Sequence, residues 1–242
     1  MRYGIFSDIH SNLEALEAVI GAYKQECVDR YLCLGDIVGY AANPRECIER
    51  TKALSAVNVA GNHDWAAVNL FSLDYFNPHA SEAIVWTQQH IFDSERHFLE
   101  SLKLTYQNEH VTLVHATLDE PQDFSYLVDN NRAGNTFKLL ATNICFLGHT
   151  HVAGIFTQSG NGRIDYQVAG CVDIKEGHKY VINVGSVGQP RDGDPRAAYC
   201  VYDSDKRKIQ IKRIDYDIET ARQKIIRSGL PTFLGDRLTA GR

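Results

Sequence analysis

The stretch Tyr3-Gly4-Ile5-Phe6-Ser7-Asp8-Ile9-His10 indicates how the chain folds, because a short apolar run leads directly into two polar residues. The run has the length and composition of a buried strand, and residues 12–25 then place their apolar side chains on one helical face. The same order returns in residues 31–34, a second strand, and in residues 44–54, a helix that begins with proline. Strands that alternate with helices predict parallel strands joined by helical connections.

The second half of the chain has a different pattern, in which strand-like runs are separated by tight turns. Residues 154–158 and 163–168 flank Ser159-Gly160-Asn161-Gly162, and residues 197–202 and 208–214 flank Ser204-Asp205. Further strands are predicted at residues 56–60, 105–107, 111–115, 144–147 and 180–184, and further helices at residues 64–102 (broken at Asn77-Pro78), 131–142, 218–227 and from 231 onward. We therefore expect the α/β class, or α+β in some schemes, with two mixed sheets and helices on their outer faces.

We expect a single domain over residues 1–242, because no stretch rich in Pro, Gly and Ser divides the chain. This domain would contain a helical insert at about residues 65–103 and C-terminal helices at about residues 217–240. A chain of this length can bury a sizeable core without disulfides.

The charge balance narrows the classes of partner and location. Lys and Arg number 25 against 30 Asp and Glu, a net charge of −5, which argues against long nucleic acids and against membrane surfaces. No run approaches the ~18 apolar residues of a membrane span, and the first residues lack the apolar core of a signal peptide. The six cysteines form no CxxC pair, which is typical of free buried thiols in a reducing cytoplasm, with redox or metal use as the alternative.

Polar residues follow five predicted strands at the point where each strand ends. They are Asp8 and His10; Asp36; Asn62, His63 and Asp64; His115; and His149 and His151. Sites collect beyond the carboxyl ends of parallel strands, so we expect these side chains to converge. Asp8 and His10 are two positions apart, as are His149 and His151, and side chains at that spacing in an extended chain point the same way.

The chemistry of this set is that of a transition-metal site. Carboxylate, amide and imidazole groups without cysteine suit Mn, Fe, Co or Zn better than Mg or Ca. Seven candidate ligands exceed what one tetrahedral ion needs and match two ions that share a carboxylate, a type of site that serves in-line displacement at phosphorus. Each motif alone has a plainer explanation, such as helix capping by Asn62 or Asp64, but their joint order favours the metal site.

Five motifs occur in a fixed order, namely Asp8-Ile9-His10, Gly35-Asp36-Ile37-Val38-Gly39, Gly61-Asn62-His63-Asp64, His115 and Gly148-His149-Thr150-His151. Together they resemble the calcineurin-like metallophosphoesterase superfamily, over residues 1 to about 203. Two further stretches, residues 39–44 and 183–191, are similar to its small prokaryotic, phosphodiesterase-type branch. The resemblance implies a two-sheet sandwich flanked by helices, with a dimetal site at the sheet edge.

The resemblance also implies a role for each residue that matches a motif. One divalent ion would be held by Asp8, His10, Asp36 and His151, and a second by Asp36, Asn62, His115 and His149, with Asp36 as the bridge. The ions would be Mn, Fe, Zn or Co, and their identity stays open. Asn62 and His63 would stabilise charge on the phosphoryl oxygens, and His63 would lie beside the leaving group as a general acid or as a clamp on a phosphate oxygen.

One departure from the family pattern bears on the substrate. In the Ser/Thr protein phosphatases of the superfamily an Asp-Arg pair orients the catalytic histidine and grips phosphate, whereas Gly39 and Tyr40 occupy the matching positions here. His63 therefore lacks its usual orienting carboxylate, which argues against a protein phosphatase. Arg191 or Arg196 could supply the missing charge, and Tyr40 and Arg191 are candidate substrate contacts. The plainer explanation for either arginine is a surface position.

The expected function is metal-dependent hydrolysis of a phosphodiester or nucleotide-type phosphate, by in-line attack of a metal-bridging hydroxide. Two alternatives remain open, a phosphomonoesterase (including a protein phosphatase) on the same site and a catalytically silent scaffold of the same fold. The expected partner is a small phosphate ester, with no long nucleic acid and no membrane. Association of the chain into a homo-oligomer stays open.

Overall fold

A computed structural model describes residues 1–168 and 170–242. Its strands are β1 (Arg2–Phe6), β2 (Arg30–Cys33), β3 (Val57–Asn58), β4 (Thr105–Gln107), β5 (Thr112–Val114), β6 (Ile144–Leu147), β7 (Gly154–Gln158), β8 (Ile164–Val168), β9 (Cys171–Asp173), β10 (Lys179–Asn183), β11 (Ala197–Asp203) and β12 (Lys208–Ile214). Two strands differ from expectation. The strand predicted at residues 56–60 shrinks to β3: the Val59 N–H still donates to the Cys33 carbonyl of β2, but the Ala60 N–H donates to the Lys103 carbonyl, and Val59 forms an isolated bridge with Lys103. Strand β9 has no signal in the sequence, since it is short and pairs only with β12.

The helices are α1 (Leu13–Gln25), α2 (Pro44–Ala53), α3 (Asn62–Ala67), α4 (Pro78–His90), α5 (Asp93–Ser101), α6 (Asn130–Leu139), α7 (Ile218–Arg227) and α8 (Thr232–Ala240), with single 3₁₀ turns at Leu73–Tyr75 and Pro121–Asp123. The side chains of Asn12, Asn77 and Asp217 accept a hydrogen bond from the first turns of α1, α4 and α7, which explains where these helices begin. Helix α6 ends at Leu139, three residues before the predicted end.

The strands form two mixed sheets of six, as expected. The first has the order β3-β2-β1-β11-β12-β9, and the second has the order β4-β5-β6-β10-β7-β8. In the first sheet β1, β2 and β3 run parallel to one another, and in the second β5, β6 and β10 do. The remaining neighbours are antiparallel, in agreement with the hairpin-rich second half of the chain.

The two sheets pack face to face, and helices cover their outer faces. Ile5 of the first sheet and Phe146 of the second belong to one fully buried cluster between the sheets. Successive strand residues point to opposite faces, so Phe6 packs on the other side against α1. Phe137 of α6 packs against the outer face of the second sheet. The continuous apolar runs of the central strands thus reflect burial on both faces.

The carboxyl ends of β1, β2, β5 and β6 meet at one end of the sandwich, and the candidate ligands follow these strands. The site therefore lies at the carboxyl ends of central strands. The expected position at a sheet edge is correct for the edge formed by these strand ends, but the site does not lie beside an edge strand. Helices α4, α7 and α8 pack together beside it, in a cluster that includes Tyr40. Within the described ranges, no helix is both long and apolar enough to cross a membrane.

Candidate metal centre

Main-chain hydrogen bonds hold together the loops that carry the candidate ligands. The Asp8 N–H donates to the Gly35 carbonyl (3.0 Å), and the His10 N–H donates to the Asp36 carbonyl (2.9 Å), so the loops after β1 and β2 are joined. The loop after β10 joins them through the Gly188 N–H, which donates to the Asp8 carbonyl (2.9 Å). The positions of the ligands are therefore fixed by the backbone of the fold.

Five candidate ligands have a left-handed backbone, with φ of 55° at Asp8, 50° at His10, 53° at Asp36, 67° at His149 and 60° at His151. This conformation costs a residue with a side chain about 1–2 kcal/mol, and such strain concentrates at functional sites. The extended chain that we expected for the two ligand pairs is therefore wrong. The paired side chains reach the same region, with His149 and His151 in the two different groups described next, because the chain curls as soon as each strand ends.

The predicted ligands form two buried groups that share Asp36. The first contains Asp8, His10, Asp36 and His151, and the second contains Asp36, His115 and His149; within each group the ligand atoms lie within 4.8 Å of one another. Oδ2 of Asp36 lies 3.6 Å from His10 Nε2 and 3.3 Å from His115 Nε2, so one carboxylate oxygen faces both groups. Apart from Asn62, the groups coincide with the two ligand sets that the family resemblance implies.

Hydrogen bonds to main-chain carbonyls fix the nitrogen that each imidazole of the first group presents to its centre. Nδ1 of His10 donates to the Val38 carbonyl (3.1 Å), and Nδ1 of His151 donates to the Gln189 carbonyl (2.6 Å). In a neutral ring Nε2 then carries a lone pair and no proton. The Nε2 atoms of His10 and His151 nevertheless lie 3.0 Å apart. Two lone pairs at that distance require a cation, either a proton or a metal ion. Imidazoles held in this way by carbonyls are typical metal ligands.

In the second group one of the two imidazoles, that of His115, is held in the same way. Nδ1 of His115 donates to the Leu34 carbonyl (2.7 Å), and its Nε2 lies 3.0 Å from His149 Nδ1. Asn62 begins α3 next to His63, whose N–H donates to Asp36 Oδ1 (2.9 Å), and this contact places Asn62 beside the shared carboxylate. The Asn62 side-chain oxygen is buried without a hydrogen-bond partner. Because such an atom is costly to bury alone, the residues fit a second cation at this point.

Burial and the neighbouring charges set the protonation of these groups. Burial lowers the pKa of His10, of His151 and of His149, the last to about 3, so these rings are neutral at pH 7. Burial raises the pKa of the Asp36 carboxyl, but the attraction of the rings around it is stronger and leaves that pKa well below its usual range. For His115, burial lowers the pKa, but Asp36 and a second carboxylate raise it to about 9. Without metal, His115 therefore carries a proton at pH 7.

His63 is held by rings and has no carboxylate partner. Its ring centroid lies 4.5 Å from that of Tyr40, 4.7 Å from that of His10 and 5.0 Å from that of Phe76. Its Nδ1 is buried without a hydrogen-bond partner, and a Cβ at Gly39, where φ is +95°, would lie 2.4 Å from this atom. Burial lowers the pKa of His63 to about 4. Where an aspartate orients the histidine in the protein phosphatases of the superfamily, Gly39 here lets the backbone lie directly against the His63 ring.

Tyr40 and Arg191, the candidate substrate contacts, lie together. Nη2 of Arg191 donates to Tyr40 Oη (3.3 Å) and to Gln189 Oε1 (2.8 Å), and the guanidinium carbon lies 5.7 Å from the centre of the Tyr40 ring. The Arg191 N–H donates to the carbonyl of the ligand His151 (3.1 Å). Arg196 instead pairs with the partly buried Asp194, two residues before it in sequence, and lies outside the site. Of the two arginines, Arg191 is therefore the one that could supply charge.

A cleft of about 540 Å³ opens beside the two groups of candidate ligands. Its wall includes Tyr40, Asn62, His63 and His149. The rest of the wall comes from Phe71, Tyr75, Phe76, Asn77, Ala80, Asp123, Phe124, Ser125, Tyr126, Val128 and Arg132. Sequence alone does not distinguish whether the aromatic residues of this set pack in the core or line a cleft. Nothing in the sequence around Arg132 indicates a functional position, because only the packing of α6 brings this residue to the cleft.

Three comparisons bear on family membership. The family model described as the calcineurin-like phosphoesterase superfamily domain matches residues 1–207. An uncharacterized protein of Methanocaldococcus jannaschii is 41% identical over 242 residues, which cover 98% of this chain and 97% of that protein. The crystal structure of a metallophosphoesterase from Sphaerobacter thermophilus is 38% identical and covers 100% of this chain and 99% of its own, with a TM-score of 0.89.

A hypothetical protein of Pyrococcus horikoshii shares the fold alone, with a TM-score of 0.81 at 18% identity and coverage of 100% of this chain and 98% of that chain. The family model and the two closer relatives cover the part of the chain that carries the motifs at the strand ends, and the structure from Sphaerobacter thermophilus shares the fold. Both the expected resemblance and the expected fold class are confirmed. The chain belongs to the calcineurin-like phosphoesterase superfamily.

Proposed function

We propose that this chain hydrolyses a phosphodiester or nucleotide-type phosphate with two divalent transition-metal ions. The observation that carries the proposal is the pair of imidazole lone pairs 3.0 Å apart, in a group that shares Asp36 with a second group of two further histidines. One ion would be held by Asp8, His10, Asp36 and His151, and the other by Asp36, Asn62, His115 and His149. Mn, Fe, Zn and Co all suit these donors.

When bound, such ions act as Lewis acids toward phosphoryl oxygens and activate water at neutral pH. The protein supplies position and hydrogen bonds. His63 lines the cleft and is neutral at pH 7, since burial lowers its pKa to about 4. Of the two roles considered for it, we therefore favour a hydrogen-bond donor that clamps a phosphoryl or leaving-group oxygen. The Asn62 side-chain N–H groups would stabilise the same developing charge.

Arg191 would bind the phosphate group from the side of Tyr40. Its described side-chain partners, Gln189 and Tyr40, are both neutral, so the guanidinium keeps its charge for an anion. Arg191 differs in this respect from Arg196, whose charge is already paired. An arginine held by neutral groups suits an anionic phosphate group, and the absence of the Asp-Arg pair at Gly39 and Tyr40 favours a diester over a monoester.

The test is an assay of metal-free protein to which Mn²⁺ is added, with bound metal measured in the same samples. We expect faster turnover of bis-p-nitrophenyl phosphate than of p-nitrophenyl phosphate. Faster turnover of the monoester would support a phosphomonoesterase instead. Bound metal without turnover of either ester would support the silent scaffold. Asp36→Asn, which removes the carboxylate that both groups share, should abolish the turnover. Asp165→Asn, the same change at an exposed aspartate, is its matched control.

We also propose a cytoplasmic location and a small phosphate ester as the partner, without long nucleic acid or membrane. All six cysteines are free, and Cys33, Cys47, Cys145 and Cys200 are buried, which suits a reducing compartment. Gel filtration with light scattering would show whether the chain is a monomer or the homo-oligomer that the sequence leaves open.

A further inference from the structure

A second cavity, of about 650 Å³, lies next to the cleft, on the side of the ligand pair His149 and His151. Thr150, which stands between these two ligands, lines this cavity, and Val128 lines both the cavity and the cleft. On the cleft side, the Tyr126 ring stacks on His149 with the centroids 4.2 Å apart. A molecule bound at the metal groups can therefore extend into this cavity, which we call the Tyr166 cavity.

One wall of the Tyr166 cavity is an unpartnered aromatic and aliphatic surface. Tyr166 of β8 leans on Phe156 of β7, with ring centroids 4.7 Å apart. A Cβ at Gly154 would lie 2.5 Å from Tyr166 Oη, so the glycine allows the ring to lie across its backbone. Tyr166 is 47% exposed, and Val128 and Val152 are 67% and 38% exposed. A flat apolar group placed here would cover all three.

The remaining wall is polar but carries little charge. It includes Asn130, Asn131 and the Thr150 hydroxyl, and among the described lining residues Asp129 is the only charged one. The Asp129 carboxylate already accepts a hydrogen bond from the N–H of Arg132 at the start of α6 (2.9 Å). No lysine or arginine faces this space among the described residues, in contrast to the cleft with Arg132. The lining therefore suits an uncharged group with a flat face and polar edges.

His63 does not belong to this cavity. Among the described residues His63 lines the cleft and not this cavity, and the His10 ring centroid lies 4.7 Å from that of His63 and 4.8 Å from that of the candidate ligand His151. If the oxygen that His63 clamps is the leaving-group oxygen, one of the two positions proposed above, the Tyr166 cavity lies on the side of the substituent that stays on phosphorus. We propose that the Tyr166 cavity binds an uncharged heteroaromatic group, of the nucleoside-base type, on the retained substituent of a phosphodiester. The assignment of the heteroaromatic group to the retained substituent rests on the proposed function. The binding of that group rests on the cavity alone.

The kinetic test compares two diesters that release the same p-nitrophenolate, thymidine 5′-p-nitrophenyl phosphate and methyl p-nitrophenyl phosphate. We expect Tyr166→Ala to raise KM for the thymidine ester about tenfold, the effect of losing one base stack, and to change kcat/KM for the methyl ester less than twofold. Tyr166→Phe keeps the ring and should keep the preference. Phe233→Ala, a change at an aromatic residue 50% exposed on α8, is the matched control. An equal effect of Tyr166→Ala on both esters would overturn the assignment.

Binding is tested separately, so that failure of the proposed function can be told apart from failure of the site. Saturation-transfer NMR of thymidine with the metal-free protein should show contact at the base protons in wild type and in Tyr166→Phe. The signal should be lost in Tyr166→Ala, whose partly exposed position makes the change tolerable for folding. Equal signals in wild type and Tyr166→Ala would overturn the inference even if both esters are hydrolysed. If neither ester is hydrolysed, the proposed function fails and the binding result alone decides on the site.

Discussion

Replacing Gly39 by alanine should destabilise the protein more than the same change at Gly162, because only Gly39 touches a functional ring. Both glycines have positive φ, +95° and +84°, so a side chain at either costs about 1–2 kcal/mol in backbone strain. At Gly162 nothing lies within 4 Å of the added Cβ, whereas at Gly39 the Cβ would lie 2.4 Å from His63 Nδ1. Such overpacking adds about 1–3 kcal/mol.

The measurement is thermal unfolding of Gly39→Ala, Gly162→Ala and wild type at equal metal content. For a chain of this length about 1 kcal/mol corresponds to ~2–4 °C in Tm, so Gly39→Ala should unfold at least 2 °C below Gly162→Ala. Gly39→Ala should also lower kcat, because the added methyl group pushes the His63 ring from its place between Tyr40 and Phe76.

A double-mutant cycle identifies His63 as the cause. In a His63→Ala background the clash is gone, so the cost of Gly39→Ala should fall to the backbone strain alone and equal the cost of Gly162→Ala. An equal cost of Gly39→Ala in both backgrounds would show that His63 does not sit where the structure has it. The close approach of Gly39 to this ring would then be refuted.

Three further outcomes are expected. Asp36→Asn should abolish hydrolysis and reduce the content of both ions, measured by inductively coupled plasma mass spectrometry, since one carboxylate oxygen faces both groups; two retained ions would contradict a shared ligand. His115, with a pKa of about 9, should release about one proton when metal binds at pH 7, so the affinity for the metal should fall about tenfold for each pH unit below 9. Calorimetry in buffers of different ionisation enthalpy counts the released proton, and a metal affinity that does not change with pH would disprove this expectation. Phe76→Ala should lower kcat in wild type about tenfold and leave kcat of His63→Gln unchanged, whereas equal losses in both backgrounds would show that Phe76 does not act through His63.

The pH sensitivity of the metal-free protein follows from the same histidine. The pKa of His115 is higher in the folded protein than the ordinary 6.5, so its proton favours the folded state. This contribution is fully present below pH 6.5 and is lost as the pH rises toward 9. Metal binding replaces the proton, so loaded protein should not show the loss over this window.

The sequence predicted the ends of strands well and the path of the loops poorly. Asp8, Asp36 and His115 could be placed because each follows an apolar strand, and the ends of parallel strands meet. The left-handed backbone of these loops had no signal, because it is imposed by hydrogen bonds between segments far apart, such as that from Gly188 to Asp8. The predicted convergence is therefore right, although its expected cause is wrong.

What orients His63 could not be predicted for the same reason. The motif comparison showed that Gly39 stands where a carboxylate was expected, and nothing in the sequence indicated what takes its place. The structure places Phe76, from the segment before α4, against the ring. Ring packing of this kind depends on tertiary contacts, which carry no local sequence signature. The short strand β9 escaped prediction likewise, since only its neighbour β12 defines it.

The division of the ligands between the two sheets has a consequence for how the protein is made. Asp8 and Asp36 belong to the first sheet, but their partners His115 and His151 follow strands of the second, and the Gln189 carbonyl that fixes His151 comes later still. A nascent chain cannot complete either group until more than half of it has left the ribosome and the sheets have docked. Binding of an ion to all the residues of either group would thus require that both sheets have already assembled.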